Sequence, residues 1–403
     1  MLKLALRNIF RHRFRTAMTL AGIVIGVIAL VLSGGFVQDI YVQLAEAVIH
    51  SQSGHIQVAD AGYFSFGSRS PAKYAIANPN VLRTRISALR GVADVLERSN
   101  FSGLLNNGRT DWPIVGEGVE PAKEAKLGSY MRIIAGRQLT DSDRFGILIG
   151  RDIARGLKLA PGDRVTLLAS TAEGALNSLE FKVVGIFESF SKDFDARAVR
   201  IPLQSAQKLL GSQRVNTLVI SLKQTSDTNS VAARLVAMLD PTQFEVKTWT
   251  QLSGFYDKTV ALYSQQFGFL RFIILAMVLL SVANSVNMSV FERIGEFGTM
   301  MALGKRRGQV LGLIALEGSL LGLIGSFLGI ALGVGLAIGI SSIGIPMPPP
   351  PNANLGYTAL IRIVPSVLAN AFAVGFVATA FAALFSAVRI SRVPVADALR
   401  ANI

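Results

Sequence analysis

The chain has 403 residues, of which 51% are hydrophobic and 16% are charged, and its mean hydropathy is +0.45. It is too apolar for a soluble protein and too charged for one that lies wholly in lipid, so the composition indicates a membrane protein with a large domain in water. Cysteine is absent and the three histidines occur in no metal-binding motif, which excludes disulfides and thiolate chemistry and argues against a metal site.

Four stretches of the sequence are long and apolar enough to cross a bilayer, which takes about 20 helical residues. They cover residues 16–36, 269–290, 310–343 and 364–390. Arginines precede the first stretch, but its apolar run is longer than that of a signal peptide, so we do not interpret it as a cleaved signal. We therefore predict a membrane α-helical protein with four transmembrane helices, in which residues 1–15 form a basic cytoplasmic helix and residues 391–403 a cytoplasmic tail.

The formal net charge of +14 is concentrated beside the predicted spans. Residues 1–15, 291–309 and 389–403 hold twelve of the 40 Lys and Arg residues, whereas residues 37–268 are nearly balanced at +4. Because positive residues accumulate in cytoplasmic loops, we place both termini inside and residues 37–268 outside the cytoplasm, which for a bacterial inner membrane is the periplasm. The charge is then a topology signal with some attraction to membrane lipids, and it does not indicate nucleic-acid binding.

Between the first two spans, residues 37–268 alternate strands, short helices and glycine turns, which predicts a large periplasmic α+β domain. Strands are predicted at residues 55–59, 112–116, 164–169, 179–187, 198–201, 218–222 and 244–249, and helices at residues 78–90, 203–210 and 230–239. The two ends of the domain, residues 37–49 and 251–267, are interpreted as helical stalks that continue the spans. Flexible linkers are the alternative, but these ends lack Gly, Ser and Pro enrichment.

No catalytic set of residues emerges in the predicted domain. Asp141 and Asp143, and Asp193 and Asp195, form two D-x-D pairs of the kind found in metal sites. Neither pair is followed by the glycine and glutamate spacing of an EF-hand loop. We therefore interpret all four as solvated loop carboxylates.

Residues 291–309 are short, amphipathic and charged at their start, which predicts an interfacial helix from Glu292 to Gly304. This segment is either a positive loop that fixes topology or a docking surface for a cytoplasmic partner. Its nearest match to the phosphate-binding motif G-x-x-x-x-G-K-[ST] is Gly304-Lys305, where Gly298 is one residue too distant and Arg306 replaces the hydroxyl. We therefore expect this chain neither to hydrolyse nucleotide nor to bind a cofactor.

Glu317 lies inside the third apolar stretch, where an ionised residue at the helix centre costs about 2.5 to 3.5 kcal/mol. It either lies near the cytoplasmic surface as a solvated side chain or makes a buried contact. We favour the buried contact, with Arg293, Lys305 and Arg306 as candidate partners, and we expect no proton relay.

Glycines at four-residue spacing in two spans predict faces for close helix packing. They are Gly22 and Gly26 in the first span and Gly325, Gly329 and Gly333 in the third. Packing within one chain and packing between two copies are both open alternatives. In the periplasmic loop of residues 344–363, Pro348–Pro351 predicts a stiff extended connector, which is either a spacer or a lid over a cavity that admits lipid.

Several segments, taken in order, are similar to a known family. These are LALRNIFRHRFRTAMTLAGIVIGV at the start, GRQLTDSDRFGILIGRDIARGLKLAPGDRVTLLAS and FKVVGIFES in the domain, ERIGEFGTMMALGKRRGQVLGLIALEGSLLGLIGSFLGIALG at the second and third spans, and RISRVPVADALRA in the tail. Together they resemble the ABC transporter permeases that include LolC and LolE, MacB and FtsX, and the domain resembles the MacB-like periplasmic domain. The resemblance covers most of the chain.

The resemblance implies a non-catalytic permease subunit that works by mechanotransmission. Two permeases, identical or paralogous, would bind a cytoplasmic dimer of P-loop ATPases that holds ATP and Mg²⁺, and ATP-driven closure would move the periplasmic domains. The coupling helix would lie at Glu292 to Gly304. The residues that would couple to the ATPase are Glu292, Arg293, Glu296, Phe297, Gly298, Gly304, Lys305 and Arg306.

Within the family, SQSGHIQVADAGYF and the proline-rich loop are more similar to the LolC and LolE branch, which extracts lipoproteins and passes them to a periplasmic carrier. The expected function is therefore lipoprotein release, or export of other lipid-linked or amphiphilic substrates. Two alternatives are a MacB-like efflux permease with an adaptor and an outer-membrane channel, and an FtsX-like signalling protein that regulates a periplasmic enzyme.

Overall fold

The computed structural model describes residue 11 and residues 13–67, 71–349, 354 and 356–390. These residues form two compact units, the first drawn from Met1–Val42, Val260–Pro346 and Thr358–Ile403, and the second from Gln43–Thr259 and Met347–Tyr357. Most of the predicted basic helix, the predicted C-terminal tail and the last two prolines of the proline run lie outside the described residues.

Helices and strands alternate in the second unit, and long helices dominate the first. The helices are α1 (Arg13–Val48), α2 (Tyr63–Phe66), α3 (Pro79–Ser87), α4 (Pro121–Leu127), α5 (Arg151–Leu157), α6 (Lys192–Asp195), α7 (Leu203–Leu210), α8 (Thr228–Met238), α9 (Trp249–Leu252), α10 (Gly254–Glu292), α11 (Ile294–Ala302), α12 (Arg307–Ile343) and α13 (Pro365–Ile390). The strands are β1 (Ile56–Asp60), β2 (Val92–Asn106), β3 (Asp111–Val119), β4 (Arg132–Gly136), β5 (Gly146–Gly150), β6 (Arg164–Ser170), β7 (Leu176–Glu188), β8 (Ala198–Pro202), β9 (Thr217–Leu222), β10 (Phe244–Thr248), β11 (Ile345–Met347) and β12 (Tyr357–Ala359).

Within the described residues, four helices are long and apolar enough to cross a membrane. The candidate spans are Thr16–Ser53, Tyr256–Met288, Arg307–Ile343 and Pro365–Phe385. Helix α1 continues without a break through the first predicted stalk and is followed directly by a π-helical turn, Ile49–Ser53. The second predicted stalk is interrupted, because Ser253 has the non-helical angles φ −106° and ψ 79° and thereby separates α9 from α10.

Small and β-branched side chains form the buried core of the first unit. Its members include Ile23, Val27 and Val31 of α1, Val278 and Val282 of α10, Val310 and Ile314 of α12, and Ala378, Ala382 and Ala383 of α13. Lipid tails are as apolar as these side chains, so helices in a membrane are held by close van der Waals packing rather than by hydrophobic burial. Alanines and glycines permit that packing.

A ten-stranded sheet forms the second unit, with the strand order β10-β1-β9-β2-β3-β8-β5-β7-β4 and with β6 paired to both β2 and β7. Strands β2, β3, β8, β5, β7 and β6 therefore form a closed ring of pairs. All six contribute to one core, which includes Leu105, Ile114, Val199, Ile149, Phe181 and Leu167. Closure leaves no free edge in this part of the sheet.

Outside the ring, β10, β1, β9 and the first half of β2 form an open sheet. Helices α3 and α8 cover one of its faces, where Leu82 and Val231 pack with Val58 and Leu218. Because side chains alternate along a strand, the other face carries a different set, which continues onto the outside of the ring. We call this the polar face and define it by Gln57, Arg98, Asn100, Glu117, Arg200 and Thr217.

Candidate coupling site

The predicted coupling segment folds as a short helix between two long ones. Glu296 lies in the first turn of α11, where a carboxylate is favoured by the partial positive charge of the helix N-terminus. The segment ends at Gly304, whose φ of +93° is a left-handed conformation that favours glycine. The amides of Gly304 and Lys305 donate to Met301 O and Met300 O, each at 3.0 Å, and so satisfy the last carbonyls of α11.

Arg293 joins this segment to the third long helix. It is 4% exposed, and its Nη1 donates to Glu317 Oε2 at 2.9 Å while its Nε donates to Glu296 Oε2 at 3.1 Å. The Glu317 side chain is 14% exposed and thus lies in a buried contact rather than in water. Of the three candidate partners, the structure places Arg293 against Glu317.

The other predicted coupling residues differ in exposure. Glu292 and Arg306 are exposed, Lys305 is half-buried and Gly298 is buried. Phe297 lies in α11, and its side chain is outside the described part of the structure. Glu296 Oε1 lies 3.6 Å from Arg11 Nη1, and Glu296 Oε2 is bound by Arg293. Two arginines from different parts of the chain therefore contact this carboxylate.

All five predicted packing glycines lie against another helix of the same chain. A Cβ added at Gly22 or Gly26 would lie 2.7 Å from Ser281 Oγ or 2.1 Å from Val278 Cγ2, both in α10. On α12, Gly325, Gly329 and Gly333 lie against Ile23, Val27 and Val31 of α1. A Cβ added at each of these glycines would lie 2.8, 2.7 and 3.2 Å from the nearest side-chain atom. The glycines therefore serve helix packing within one chain.

Near the end of the first span, α1 carries a buried carboxylate that binds the segment before α13. Asp39 is fully buried, and its two oxygens accept hydrogen bonds from Arg362 Nε and Leu360 N, both at 2.8 Å. Arg362 N also donates to Gly35 O at 3.2 Å. These bonds satisfy the charge of Asp39 and connect α1 to the segment between β12 and α13.

In the second unit, buried arginines on the polar face bind the backbone just beyond α1. Arg200 Nη2 donates to Ser51 O at 3.0 Å, and Arg98 Nη1 donates to Gln52 O. Arg98 and Arg200 are 2% and 1% exposed. The last carbonyls of a helix lack partners within the helix, and here cationic side chains supply them.

Two glutamates neutralise these arginines. Glu124 Oε1 lies 2.5 Å from Arg98 Nη2 and 3.2 Å from Arg200 Nη1, and Glu117 Oε2 accepts from Arg200 Nε at 2.7 Å. Burial alone would raise the pKa of Glu124, but the charges of Arg98 and Arg200 bring that pKa below its ordinary value. The network therefore holds two cations and two anions, and each charge has a partner.

A second polar cluster surrounds the same end of α1. His50 Nδ1 lies 3.0 Å from Leu127 O and His50 Nε2 lies 3.1 Å from Glu46 Oε2, so both ring nitrogens face acceptors and the ring is placed to act as an imidazolium. His55 Nδ1 accepts from Leu222 N at 3.2 Å. Burial, together with the nearby charge of His50, lowers the pKa of His55 to about 4, so this ring is neutral at pH 7.

Asn354 lies in Met347–Tyr357, the part of the segment between α12 and α13 that belongs to the second unit. Its Nδ2 donates to Asp195 Oδ2 at 2.5 Å, its Oδ1 accepts from Arg151 Nη2 at 2.6 Å, and its backbone amide donates to Phe190 O at 3.1 Å. Asp195 is fully buried and also accepts from Ser189 N. The interpretation of Asp195 as a solvated loop carboxylate is therefore wrong, because the chain folds back over it.

The other D-x-D pair, Asp141 and Asp143, also contains a bound carboxylate. Asp143 accepts from Arg137 at 2.6 and 2.7 Å, which holds the pKa of Asp143 well below its usual range, whereas Asp141 is exposed. Within the described ranges, no group of three or more His, Asp or Glu side chains is arranged to hold a metal ion.

Sequence reasoning did not identify Asp39, Arg98, Arg200 or Asn354 as site residues. The available signal was a charge inside an otherwise apolar stretch, as for Asp39 after the first span and Arg200 in a buried strand. Such a residue needs a partner, and the partners lie up to 323 residues away in the sequence.

Comparisons with known proteins agree with this architecture. The chain matches two family models, described as the MacB-like periplasmic core domain over residues 16–238 and as the FtsX-like permease C-terminal over residues 268–395. It is 25% identical over 364 residues to an uncharacterised ABC transporter permease of Methanocaldococcus jannaschii, with 84% of each chain covered.

Two further relatives represent two named systems. The lipoprotein-releasing system transmembrane protein LolC of Neisseria meningitidis is 23% identical over 333 residues, covering 80% of this chain and 76% of LolC. The macrolide export ATP-binding/permease protein MacB of Hyphomonas neptunium is 24% identical over 391 residues, covering 93% of this chain and 56% of MacB. Because the first family model alone covers more than half of the sequence, this chain belongs to the ABC transporter permeases that have a MacB-like periplasmic core domain and an FtsX-like permease C-terminal domain.

Proposed function

We propose that this chain couples ATP hydrolysis by a separate cytoplasmic ATPase to movements of its periplasmic domain, and that its cargo is a lipoprotein or another lipid-linked or amphiphilic molecule. Membership of the family implies an ATPase partner and a permease partner. In this proposal both termini are cytoplasmic and the second unit is periplasmic, which is supported by the positive charge beside the spans.

The observation that carries the proposal is the continuity of α1. This helix runs from the first candidate span to Val48, and the carbonyls of Ser51 and Gln52 just beyond it are bound by Arg200 and Arg98. A displacement along α1 would therefore act on buried charges of the sheet rather than on a flexible linker. This arrangement is what transmission of a movement through a helix requires.

The segment from Glu292 to Arg306 is the proposed ATPase contact. Its exposed residues Glu292, Glu296 and Arg306 present both signs of charge, and Arg293 behind them binds Glu317 of α12. A force applied to α11 would reach α12 through this ion pair. The partner ATPases, and not this chain, would bind ATP and Mg²⁺.

Lipoprotein release is proposed because LolC is similar to 80% of this chain. Macrolide-type efflux with an adaptor is the second candidate, since the similarity to MacB extends over 93% of the chain. Signalling to a periplasmic enzyme is a third candidate, based on the FtsX-like permease model at residues 268–395.

Affinity purification from the native membrane, followed by ATPase assays, tests the proposal. We expect a P-loop ATPase to copurify, the chain alone to lack activity, and Glu296→Lys to abolish the hydrolysis that the permease stimulates. Glu180→Lys is the matched control, because Glu180 is exposed on β7 and, among the residues that the structure describes, forms its ion pair with the exposed Arg164.

The copurifying periplasmic partner then identifies the pathway. A lipoprotein carrier supports release, an adaptor with an outer-membrane channel supports efflux, and a peptidoglycan hydrolase supports signalling. Recovery of no ATPase, or full stimulation in Glu296→Lys, would contradict the coupling proposal itself.

A further inference from the structure

A cavity of about 390 Å³ lies on the polar face of the second unit, and Gln52, Arg98 and Glu117 of the contacts described above belong to its lining. Strands β1, β9, β2 and β3 form its floor, and the end of the π-helical turn and α2 contribute to its walls. Its size falls within the range of about 300 to 1,000 Å³ that small-molecule sites have. The cavity is thus large enough for a small organic ligand.

One polar group in this cavity has no partner within the protein. Thr217 is 1% exposed, and its hydroxyl makes no hydrogen bond to any residue that the structure describes. Leaving such a group unpaired costs about 1 to 3 kcal/mol, and valine would fill the same space without that cost. A ligand group that forms a hydrogen bond with this hydroxyl would remove that cost.

The charged groups of the cavity are already neutralised. Arg98 uses its guanidinium on Glu124, Glu117 and Gln52 O, and Glu117 is bound by Arg200 at 2.7 Å. An anion or a cation would have to lose its hydration without gaining an unpaired opposite charge. This cost disfavours a charged ligand and leaves an uncharged one.

The remaining polar groups both donate and accept hydrogen bonds. Tyr63 Oη accepts from Asn100 Nδ2 at 2.7 Å and keeps its own hydrogen to donate, because burial raises the pKa of Tyr63 to about 12. In the described structure, the side chains of Gln52 and Ser102 make no hydrogen bonds with protein groups. Hydroxyl groups of a ligand, which likewise donate and accept, complement such a set.

Aromatic rings supply the apolar part of the wall. Phe64 and Phe194 line the cavity beside Tyr63, whereas the ring of Phe101 belongs to the core of the strand ring. A sugar ring has apolar C–H faces that pack on aromatic rings and hydroxyls at its rim. A peptide backbone instead needs a free strand edge to pair with, and the floor here is the face of strands that are already paired on both sides.

We propose that this cavity binds an uncharged polyhydroxylated ring, a mono- or disaccharide unit, through the hydroxyls of Thr217 and Tyr63 and the amides of Gln52 and Asn100. The site lies wholly within the second unit, so binding does not require the ATPase and does not depend on the transport proposal. It assigns to the domain a ligand class that the transport proposal does not name.

The test uses the full chain in phosphatidylcholine nanodiscs and saturation-transfer NMR with maltose and N,N′-diacetylchitobiose as probes. We expect at least one of these neutral disaccharides to receive saturation at millimolar concentration and to be bound about ten-fold more weakly by Thr217→Val, as expected for one lost hydrogen bond. Ser102→Ala, at an exposed position that cannot disturb the core, should weaken binding less. Thr166→Val on β6, outside the cavity, is the matched control and should leave binding unchanged.

Three results would overturn the proposal. They are the absence of saturation transfer to either disaccharide, equal binding by the parent chain and Thr217→Val, and preferential binding of glucose 6-phosphate or of a blocked Ala-Ala dipeptide. Thermal stability of Thr217→Val equal to or above that of the parent chain shows that a loss of binding is not a loss of fold.

Discussion

Arg293, the residue between α10 and α11, binds Glu317 inside α12 at 2.9 Å. The same guanidinium binds Glu296 in the first turn of α11 at 3.1 Å. One buried arginine thus connects the end of the second long helix, the short helix and the third long helix. The short helix is held by the charges of its neighbours as well as by its own backbone.

The first prediction concerns this ion pair. Glu317→Met leaves Arg293 buried without its main partner, and we expect a loss of about 3 to 5 kcal/mol of stability. Arg293→Met combined with Glu317→Met removes both charges and should recover most of that loss. Thermal unfolding in one detergent measures four purified proteins: the parent chain, Glu317→Met, Arg293→Met and the double variant. If the losses of the single variants simply added in the double variant, the two residues would not act as a pair.

The second prediction concerns close packing of α1 and α10. Gly26→Ala would bring a Cβ to 2.1 Å from Val278 Cγ2, and we expect overpacking to cost about 1 to 3 kcal/mol. Val278→Ala removes that methyl group and should restore stability in the Gly26→Ala background, because the next atom lies 3.6 Å away. Gly335→Ala is the control, since within the described residues no atom outside its own stretch of helix lies within 4 Å of its added Cβ. A Gly26→Ala protein that unfolds at the same temperature as the parent would contradict this packing.

The third prediction concerns the backbone beyond α1. Arg200→Met removes the donor to Ser51 O and leaves the Glu117 carboxylate without its nearest cation. We expect amide hydrogen exchange of residues 49–53 to become faster, as local opening there becomes easier. Arg164→Met serves as the control, because Arg164 forms an exposed pair with Glu180 and such pairs contribute about 0 to 1 kcal/mol. Unchanged exchange at residues 49–53 in Arg200→Met would show that the arginine does not hold this turn.

The fourth prediction concerns pH. Burial raises the pKa of Asp195 to about 6 from an ordinary value of 3.8, so the folded chain binds this proton more tightly than the unfolded chain does. The stability that Asp195 contributes is therefore fully present below about pH 4 and is lost as the pH rises through about 6. The melting temperature of Asp195→Asn minus that of the parent chain should therefore increase as the pH is raised from 5 to 7.

Asp143 provides the opposite case in the same experiment. Its pKa is held below the usual range by Arg137, so its stabilising contribution is complete at pH 5 and is lost only in more acidic solution. The difference between Asp143→Asn and the parent chain should be constant from pH 5 to pH 7. A constant difference for Asp195→Asn as well would mean that Asp195 is ionised throughout this range.

Much of the fold could be predicted from local patterns. The four apolar stretches lie in long helices, the helix at Leu203–Leu210 has the predicted bounds, and strands occur at all seven predicted positions. In these elements the residue pattern matches the local environment, because apolar side chains face a core on one side. Such a pattern can be read without knowledge of distant contacts.

Strand β2 could not be predicted in this way. The segment contains Asp94, Glu97 and Arg98, which interrupt the apolar alternation expected of a strand. In the structure Arg98 and Glu97 are buried because Glu124 and Arg83 bind them. The partners come from helices α3 and α4, so the charges in this strand can be explained only from the folded protein.

The candidate site was predictable to a different extent. Arg293 and Glu317 could be proposed as a pair because a charge within a span requires a partner. Asp195 was interpreted wrongly, because nothing in its own segment indicates that Asn354 covers it. Sequence spacing identifies residues that need a partner, whereas the partner itself depends on the topology.

Strand β1 lies between β9 and β10, so an early segment of the chain pairs on both sides with late ones. During biosynthesis Ile56–Asp60 is made long before either partner exists, and the sheet can close only once Thr248 has been added. Strand β1 has two unpaired edges until β9 is made and one until β10 is made, and an unpaired edge can pair with a neighbouring chain. Because α10 begins at Gly254, the next candidate membrane helix is synthesised almost as soon as the sheet is complete. Met347–Tyr357, which also belong to the second unit, are made only after α12, so the sheet can form before Asn354 is available to cover Asp195.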